Sequence, residues 1–404
     1  MILSIFKEPL PSHTKKDMAM PWSQPTHGVC DSALDHYQQS VEEEFKKCIE
    51  CGACYISCPF DLWGSNDEER QQAIRDANDF IFNRKPITEF LKSEIFSCAE
   101  CDHCHQTCPA GIHRKHANML IKLRIQPRHV DRLRAHPARL RGTKQYFFEK
   151  LTTRKWSPPE QAWYAPLNEK RQSDTLLYHG CYVASTKNDC MKLGEMLAHA
   201  GIDHVAFGKF EYCCGQFGLY RGVSDLCETS PKLIEMVEAT QPKEIITNCG
   251  HCREAVESVL KMMNNTTIRV LHPAEKLLEL VQQQKLRMKF LDQSVTIQDS
   301  CLFSQKQPDS PVRNLLARAV DLYENKDSLQ NALCCGDVSH VAAPEKIHHY
   351  NQSRVRTFNE MDADHLAVYC AGCNDIYSAF DELKTRDLID IVYQSWQEEL
   401  KETI

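Results

Sequence analysis

No stretch of this chain approaches the roughly 18 consecutive apolar residues of a membrane-crossing helix, so nothing in it is expected to span a bilayer. Charge of one sign is not in large excess either. A formal net charge of −7 over 404 residues, with 25% charged and 42% hydrophobic, is an ordinary globular balance that does not favour nucleic acid as a partner. No G-x-G-x-x-G follows a strand-like run, which removes the usual fingerprint for flavin or nicotinamide dinucleotides. No Ser–His–Asp or paired-carboxylate arrangement stands out. Met1–Phe6 is mostly apolar, but Lys7, Glu8 and Pro9 interrupt it too early for the core of an export signal. These absences lead to an expected cytoplasmic chain of two to four domains, with peripheral docking on the inner face of a membrane as the further option.

Cysteine is abundant instead, at 21 residues. A secreted disulfide scaffold would be shorter and carry an export signal, so a long chain this rich in thiols points to bound metal. Cys48-x2-Cys51-x2-Cys54-x3-Cys58-Pro59 recurs as Cys98-x2-Cys101-x2-Cys104-x3-Cys108-Pro109, each position offset by 50. This is the spacing of bacterial two-cluster ferredoxins, in which the fourth cysteine serves the other cluster. One [4Fe-4S] cubane is therefore expected on Cys48, Cys51, Cys54 and Cys108, and the other on Cys98, Cys101, Cys104 and Cys58. Pro59 and Pro109 oppose helix continuation after the fourth cysteine. Structural zinc is the plainer use of CxxC pairs. It takes four ligands, whereas each run offers three close thiolates and a fourth set before proline.

A second repeat follows. Cys181 is followed after 31 residues by Cys213-Cys214 and, 34 residues later, by Cys249-x2-Cys252. Cys301, then Cys334-Cys335, then Cys370-x2-Cys373 repeat the order at offsets of 120 or 121, and Gly215 and Gly336 follow the adjacent pairs. Five thiols oversupply a zinc ion or an ordinary cubane, and a vicinal pair can put two thiolates on one cluster edge. A zinc site or a buried group of structural thiols is the plain alternative. Cys30, Cys190 and Cys227 belong to neither motif and are expected to be structural.

A double ferredoxin motif followed by two Cys…Cys-Cys-Gly…CxxC runs resembles the CCG-domain (cysteine-rich domain) iron–sulfur proteins over residues 45–404. The order is similar to that in the D subunits of heterodisulfide reductases, or to fused C and B subunits, and relates to the iron–sulfur subunits of glycolate oxidase and anaerobic glycerol-3-phosphate dehydrogenase. The resemblance implies noncubane [4Fe-4S] clusters, one on Cys181, Cys213, Cys214, Cys249 and Cys252, the other on Cys301, Cys334, Cys335, Cys370 and Cys373. Any catalytic role would fall to these same ten cysteines. Leu302 and Phe303 follow Cys301, where family members often carry histidine, so cluster binding carries over further than substrate identity.

The expected fold class is α+β multidomain: an α-helical double-cluster ferredoxin domain followed by two repeated α/β CCG domains. The expected divisions are an N-terminal extension (1–45), the ferredoxin domain with a basic linker (46–160), and CCG domains over 161–290 and 291–404. Helical periodicity covers 66–96, divided at Pro86, and Ala117–Ile125. Strand-like runs from Thr175 and Val295 end on Cys181 and Cys301, and those from Glu244 and His365 end on Cys249 and Cys370. Helical patterns occupy Pro231–Ala239 and Pro344–Glu360. Strand ends are where an α/β sheet presents its ligands, and the repeat predicts pseudo-twofold packing. Arg128, Arg132, Arg134, Arg139, Arg141, Lys144 and Arg154 make the linker basic, read as a solvated helix rather than a docking surface. His103 and His105, within the second ferredoxin loop, are read as facing solvent rather than tuning a cluster, and His348 and His349 as helix surface.

Clusters in series pass single electrons, and a flavoprotein or other redox subunit is needed to split two-electron chemistry. The expected activity is that of an oxidoreductase component resembling heterodisulfide reductase, with thiol/disulfide chemistry at the CCG sites. The alternative is a pure relay subunit of a flavin dehydrogenase (glycolate, glycerol-3-phosphate or acyl-CoA type) feeding quinone through a membrane-bound subunit.

Overall fold

The computed structural model describes residues 30–125, 156–169, 172–180, 189–208, 211, 213–216, 226–304, 310–340 and 344–403. An all-helical unit comes first: α1 (Cys30–Phe45), α2 (Ala53–Ile56), α3 (Asp67–Ile81), α4 (Glu89–Glu94), α5 (His103–Gln106) and α6 (Arg114–Ile125). In α3, Asn66 caps the first turn by accepting from the Glu69 amide at 3.0 Å, and Asp67, Glu68 and Glu69 complement the helix dipole. Ala73, Ile74, Ala77, Asn78 and Ile81 form its buried stripe. The break before α4 begins at Phe82, ahead of Pro86, and Asn83 turns the chain at φ 56°. Thr88 then caps α4 through the Leu91 amide. The segment 1–45, read as an extension, contains α1, whose Val41 and Phe45 are buried in the ferredoxin core. Tyr37 of α1 donates to the carbonyl of His116 in α6 at 3.1 Å. Residues 1–29 and the linker arginines from Arg128 onward lie outside the described residues.

The offset of 50 is also visible in the backbone. Glu50 and Gly52 in the first loop, and Glu100 and Asp102 in the second, all take left-handed φ values between 53° and 82°. These turns set up α2 and α5, single turns carrying Cys54 and Cys104. Ser57 and Thr107, at equivalent positions, meet across the two loops at 2.8 Å.

After α7 (Pro158–Glu169), two α/β units follow. The first has β1 (Thr175–Leu177), α8 (Asp189–His199), β2 (His204–Ala206), α9 (Leu226–Thr240), β3 (Glu244–Ile246), α10 (Gly250–Met262), β4 (Arg269–Leu271) and α11 (Pro273–Gln282). The second has β5 (Ser294–Gln298), α12 (Cys301–Ser304), α13 (Pro311–Leu316), β6 (Asp321–Tyr323), α14 (Asp337–His340), α15 (Pro344–Asn359), β7 (His365–Val368), α16 (Ala371–Tyr377), β8 (Thr385–Asp387) and α17 (Leu388–Thr403). α9 opens at Leu226, five residues before the expected start at Pro231. Both sheets are parallel, in the orders β2-β1-β3-β4 and β6-β5-β7-β8. Leu176 pairs with Val205 and Ile245, and Thr296 with Tyr323 and Leu366. The winding direction changes between β1 and β3, and again between β5 and β7, which makes the carboxyl ends of these strands the natural ligand crevice.

One face of each sheet shares a single core, containing Leu177, Ile246, Val295 and Ile297 with helix residues Leu193, Leu277, Leu315 and Val392. Helix α8 packs on α17, and α13 packs on α11. These two contacts exchange under the repeat, as pseudo-twofold packing requires. The outer faces have their own cores, around Leu176, Val256 and Val259 in the first unit and Val355, Phe358 and Tyr377 in the second. The ferredoxin unit seats mainly on the second: Phe60 lies against Tyr350 with ring centroids 4.5 Å apart, and Cys334 and Ile347 complete its core.

Candidate metal centres

Burial raises the Cys54 thiol to about 11; Arg114 opposes this, while the charges of Cys48, Cys108 and Cys51 add to it, so these four sulfurs are neighbours. Burial likewise raises Cys104, with contributions from Cys101 and Cys98, and raises Cys58 to about 11, with Cys101 again contributing. Thiols of the two loops thus lie close together, Cys108 beside those of the first loop and Cys58 beside Cys101 of the second. Cys51 is exposed, and the other seven are half-buried. Sulfur in both sets accepts neutral hydrogen bonds: Asn78 Nδ2 donates to Cys48 at 3.2 Å, Asn118 Nδ2 to Cys98 at 3.3 Å, and the Ile112 amide to Cys108 at 3.3 Å.

In the second α/β unit, Cys334 lies within hydrogen-bonding reach of Cys101, Cys301 and Cys335, and Cys373 within reach of Cys335 and Cys370. All five expected thiols of this copy are therefore contiguous, and Cys101 joins them to the ferredoxin unit. In the first unit, Cys214 reaches Cys213 and Cys252, and Cys252 reaches Cys249. Cys181 lies outside the described residues. The two copies meet where Cys249 and Cys370 feel each other's charge and the Ala371 amide donates to the Asn248 carbonyl at 3.3 Å.

Local structure explains the motif. Gly215 and Gly336 take φ values of 76° and 79°, a left-handed turn that returns each glycine amide to the first cysteine of its pair, at 3.4 and 3.3 Å. At Gly336 a side chain would also come within 3.0 Å of Ile347. Cys249 and Cys370 occupy the N-cap positions of α10 and α16, where the helix dipole favours thiolate. Hydrogen bonding from Cys252, and then from His251, brings Cys249 down to about 5.

Among the described residues no group of three or more His, Cys, Asp or Glu side chains could hold a single metal ion. Cluster ligation is a different arrangement, since each thiolate takes its own iron of a larger inorganic core. Thiols gathered in groups of four and five, met by amide donors, suit such a core.

Several neighbouring residues escaped the sequence reading. Glu100 is buried and pairs with Lys122 at 2.5 Å; burial raises its carboxyl to about 7 against the pull of that lysine. Arg114, Asn78, Asn118 and Tyr55 form a buried polar group between the two ferredoxin sets. The signal for them was a polar residue on an otherwise apolar helical stripe. His103 and His105 are half-buried rather than solvent-facing. The His105 ring stacks on His113 at 3.7 Å, and the backbone amide of His103 donates to Cys101. For His105 the cause is packing against the turn that leads into α6, where His113 is itself held by Asp102 at 2.5 Å. His348 and His349 are exposed on α15, as expected, and Cys190 is buried in the shared core. The side chains of Cys30 and Cys227 lie outside the described residues.

A helical unit with two interleaved thiol sets, joined to paired α/β units whose thiols gather at the switch points, defines a thiolate-rich metal-binding redox protein. The chain matches the 4Fe-4S dicluster domain over residues 44–112 and the cysteine-rich domain twice, over 175–257 and 295–375. It is a CCG-domain, iron–sulfur-binding member of the oxidoreductases, with an electron-transfer function carried by these domains. It is 22% identical to the D subunit of the dihydromethanophenazine:CoB–CoM heterodisulfide reductase of Methanosarcina mazei, over 87% of this chain and 94% of that one. It is 24% identical to the probable iron-sulfur-binding oxidoreductase FadF of Bacillus subtilis, over 82% of this chain but only 50% of that one. An uncharacterized iron-sulfur protein of Methanococcus maripaludis is 22% identical over 82% of this chain and 67% of its own. Among the described residues no helix is long and apolar enough to cross a membrane.

Proposed function

We propose that the chain is an electron-carrying oxidoreductase subunit whose CCG sites carry out thiol/disulfide chemistry. The single observation behind this is the series of thiols in hydrogen-bonding reach from Cys101 of the ferredoxin loops through Cys334, Cys335 and Cys373 to Cys370, whose charge in turn bears on Cys249. Cys48, Cys51, Cys54 and Cys108 would hold one cubane, and Cys98, Cys101, Cys104 and Cys58 the other. The two five-cysteine sets, Cys181 included, would hold noncubane clusters. When bound, the clusters supply one-electron steps. Reducing a disulfide takes two electrons and two protons and yields two thiols, so electrons must arrive singly from a flavoprotein or other redox partner. The protein's own part is to hold the thiols in sequence, to supply amide donors to sulfur, and to keep water from the buried groups. We place the chain in the cytoplasm, with domain limits of 46–160, 161–290 and 291–404.

The second reading, a pure relay for a flavin dehydrogenase, is favoured by burial: Cys213, Cys214, Cys249 and Cys252 are at most 7% exposed. Anaerobic purification, metal analysis and electron paramagnetic resonance separate the two. Four four-iron clusters give about sixteen irons per chain. A thiol-dependent paramagnetic signal supports catalysis at the CCG sites; intact clusters without it support relay.

A further inference from the structure

Arg114 opens α6 and is only 2% exposed. A guanidinium out of water is costly unless an anion balances it. No carboxylate among the described residues forms an ion pair with it. Its partners are neutral or aromatic: it donates to Asn78 Oδ1 at 2.8 Å and to the Tyr55 hydroxyl at 3.3 Å, and it lies 5.1 Å from the ring centres of both Phe45 and Tyr55. Beyond the Tyr55 hydroxyl, the groups whose charge bears on it are the thiols of Cys54 and Cys48.

The two arms of this group end in the same way. Asn78 Oδ1 is engaged by Arg114, which leaves its amide nitrogen to donate to Cys48 at 3.2 Å and to Glu50 at 3.2 Å. The Tyr55 hydroxyl donates a hydrogen bond to Asn118 Oδ1 at 2.9 Å, which turns the Asn118 amide nitrogen to Cys98 at 3.3 Å. Cys48 and Cys98 are the first cysteines of the two loops, 50 residues apart. Asn78, Asn118 and Tyr55 are each no more than 2% exposed, so water does not compete for these bonds.

We infer that Arg114 is a shared positioning residue that raises the reduction potentials of both ferredoxin clusters together, acting through Asn78 on one and through Tyr55 and Asn118 on the other. The inference rests on the assignment of the eight ferredoxin cysteines to two clusters. A cluster gains negative charge on reduction. A fixed buried cation, and amide donors held on sulfur, stabilise that form over the oxidised one.

The test uses the full chain, purified anaerobically, with iron and sulfide counted and midpoint potentials followed by paramagnetic resonance. Cys51→Ser marks which signal belongs to the Cys48 set. Arg114→Gln is expected to keep its iron and to move both potentials in the negative direction, with about a tenfold drop in each reduction equilibrium, or about 59 mV for one electron. Arg114→Lys, which keeps the charge, should stay nearer to wild type. Asn78→Leu should move only the Cys48-set potential, and Asn118→Leu and Tyr55→Phe only the Cys98-set potential. If Arg114→Gln does not load iron, these three milder variants decide the matter. Unmoved potentials in iron-replete Arg114→Gln, or equal shifts of both signals in Asn78→Leu, overturn the inference. A wild-type protein free of iron and sulfide would instead overturn the cluster assignment, which is a separate result.

Discussion

The two CCG units share a strand order, a thiol set and an interface, yet their buried polar residues are arranged differently. In the second, Asp299 is 1% exposed, and every direction around it is occupied: Arg313 binds it in two-pronged fashion at 3.0 and 2.8 Å, Tyr369 donates at 2.8 Å, and the Leu329 amide at 2.7 Å. The equivalent residue in the first unit is His179, fully buried against Asn248 and brought down to about 4 by burial. Arg313 lies on α13; on α8, which exchanges with α13 under the repeat, Lys192 instead reaches across the interface to Asp390 and is a quarter exposed. The N-caps differ as well. Asp387 caps α17 by accepting from the Ile389 amide at 2.8 Å, whereas His272 caps α11 by accepting from the Ala274 amide at 3.1 Å. His272 also donates through Nε2 to the Tyr369 carbonyl of the other unit at 2.7 Å. At these positions one scaffold therefore carries a fixed, charge-paired carboxylate in its second copy and the buried histidines His179 and His272 in its first.

The sharpest way to break this comparison is Arg313→Met. It strands a buried carboxylate and is expected to cost about 3–5 kcal/mol in denaturant unfolding. A loss below 1 kcal/mol would show that Asp299 is not held as described. Gly336→Ala comes next, at about 1–3 kcal/mol, because the left-handed turn and Ile347 both oppose a side chain. Loss of sulfide from the second unit should accompany it, read by iron and sulfide analysis. Acid sensitivity should belong to the first unit. Burial holds His272 down at about 3, below its unfolded value near 6.5, so the unfolded chain takes up the proton first. Stability from this residue is complete above about pH 6.5 and falls by about 1.4 kcal/mol per pH unit as pH drops towards 3. His272→Asn should flatten that slope in melts at pH 5 and pH 7, and an unchanged slope would assign it elsewhere. The smallest effect is expected from Lys192→Met, at about 0–1 kcal/mol, since its ion pair is partly exposed. A cost matching that of Arg313→Met would erase the distinction between the copies.

Much of this architecture was legible in the chain. The runs from Thr175, Glu244, Val295 and His365 are apolar, short and terminated at cysteines, and those are the central strands of the two sheets. The offsets of 50 and about 121 survive as equivalent turns and exchanged helix contacts. The place of α1 was not legible, because Val41 and Phe45 are isolated apolar residues in a polar segment and their burial depends on α6. Arg114, Asn78 and Asn118 were missed because single polar residues in amphipathic helices usually face water, and only the crossing of α3 and α6 encloses these. The meeting of Cys101 with Cys334 depends on how separate units dock, which periodicity within either unit does not encode.

The common interior of the paired α/β units has a consequence for dissection of the gene. A fragment ending before β5 would leave Leu177, Ile246, Leu193 and Leu277 without their opposite numbers, each forfeiting about 1.5–3 kcal/mol of shelter from water. Such half-molecules should clump or cling to chaperones, and mixing two complementary halves should restore solubility where either alone fails.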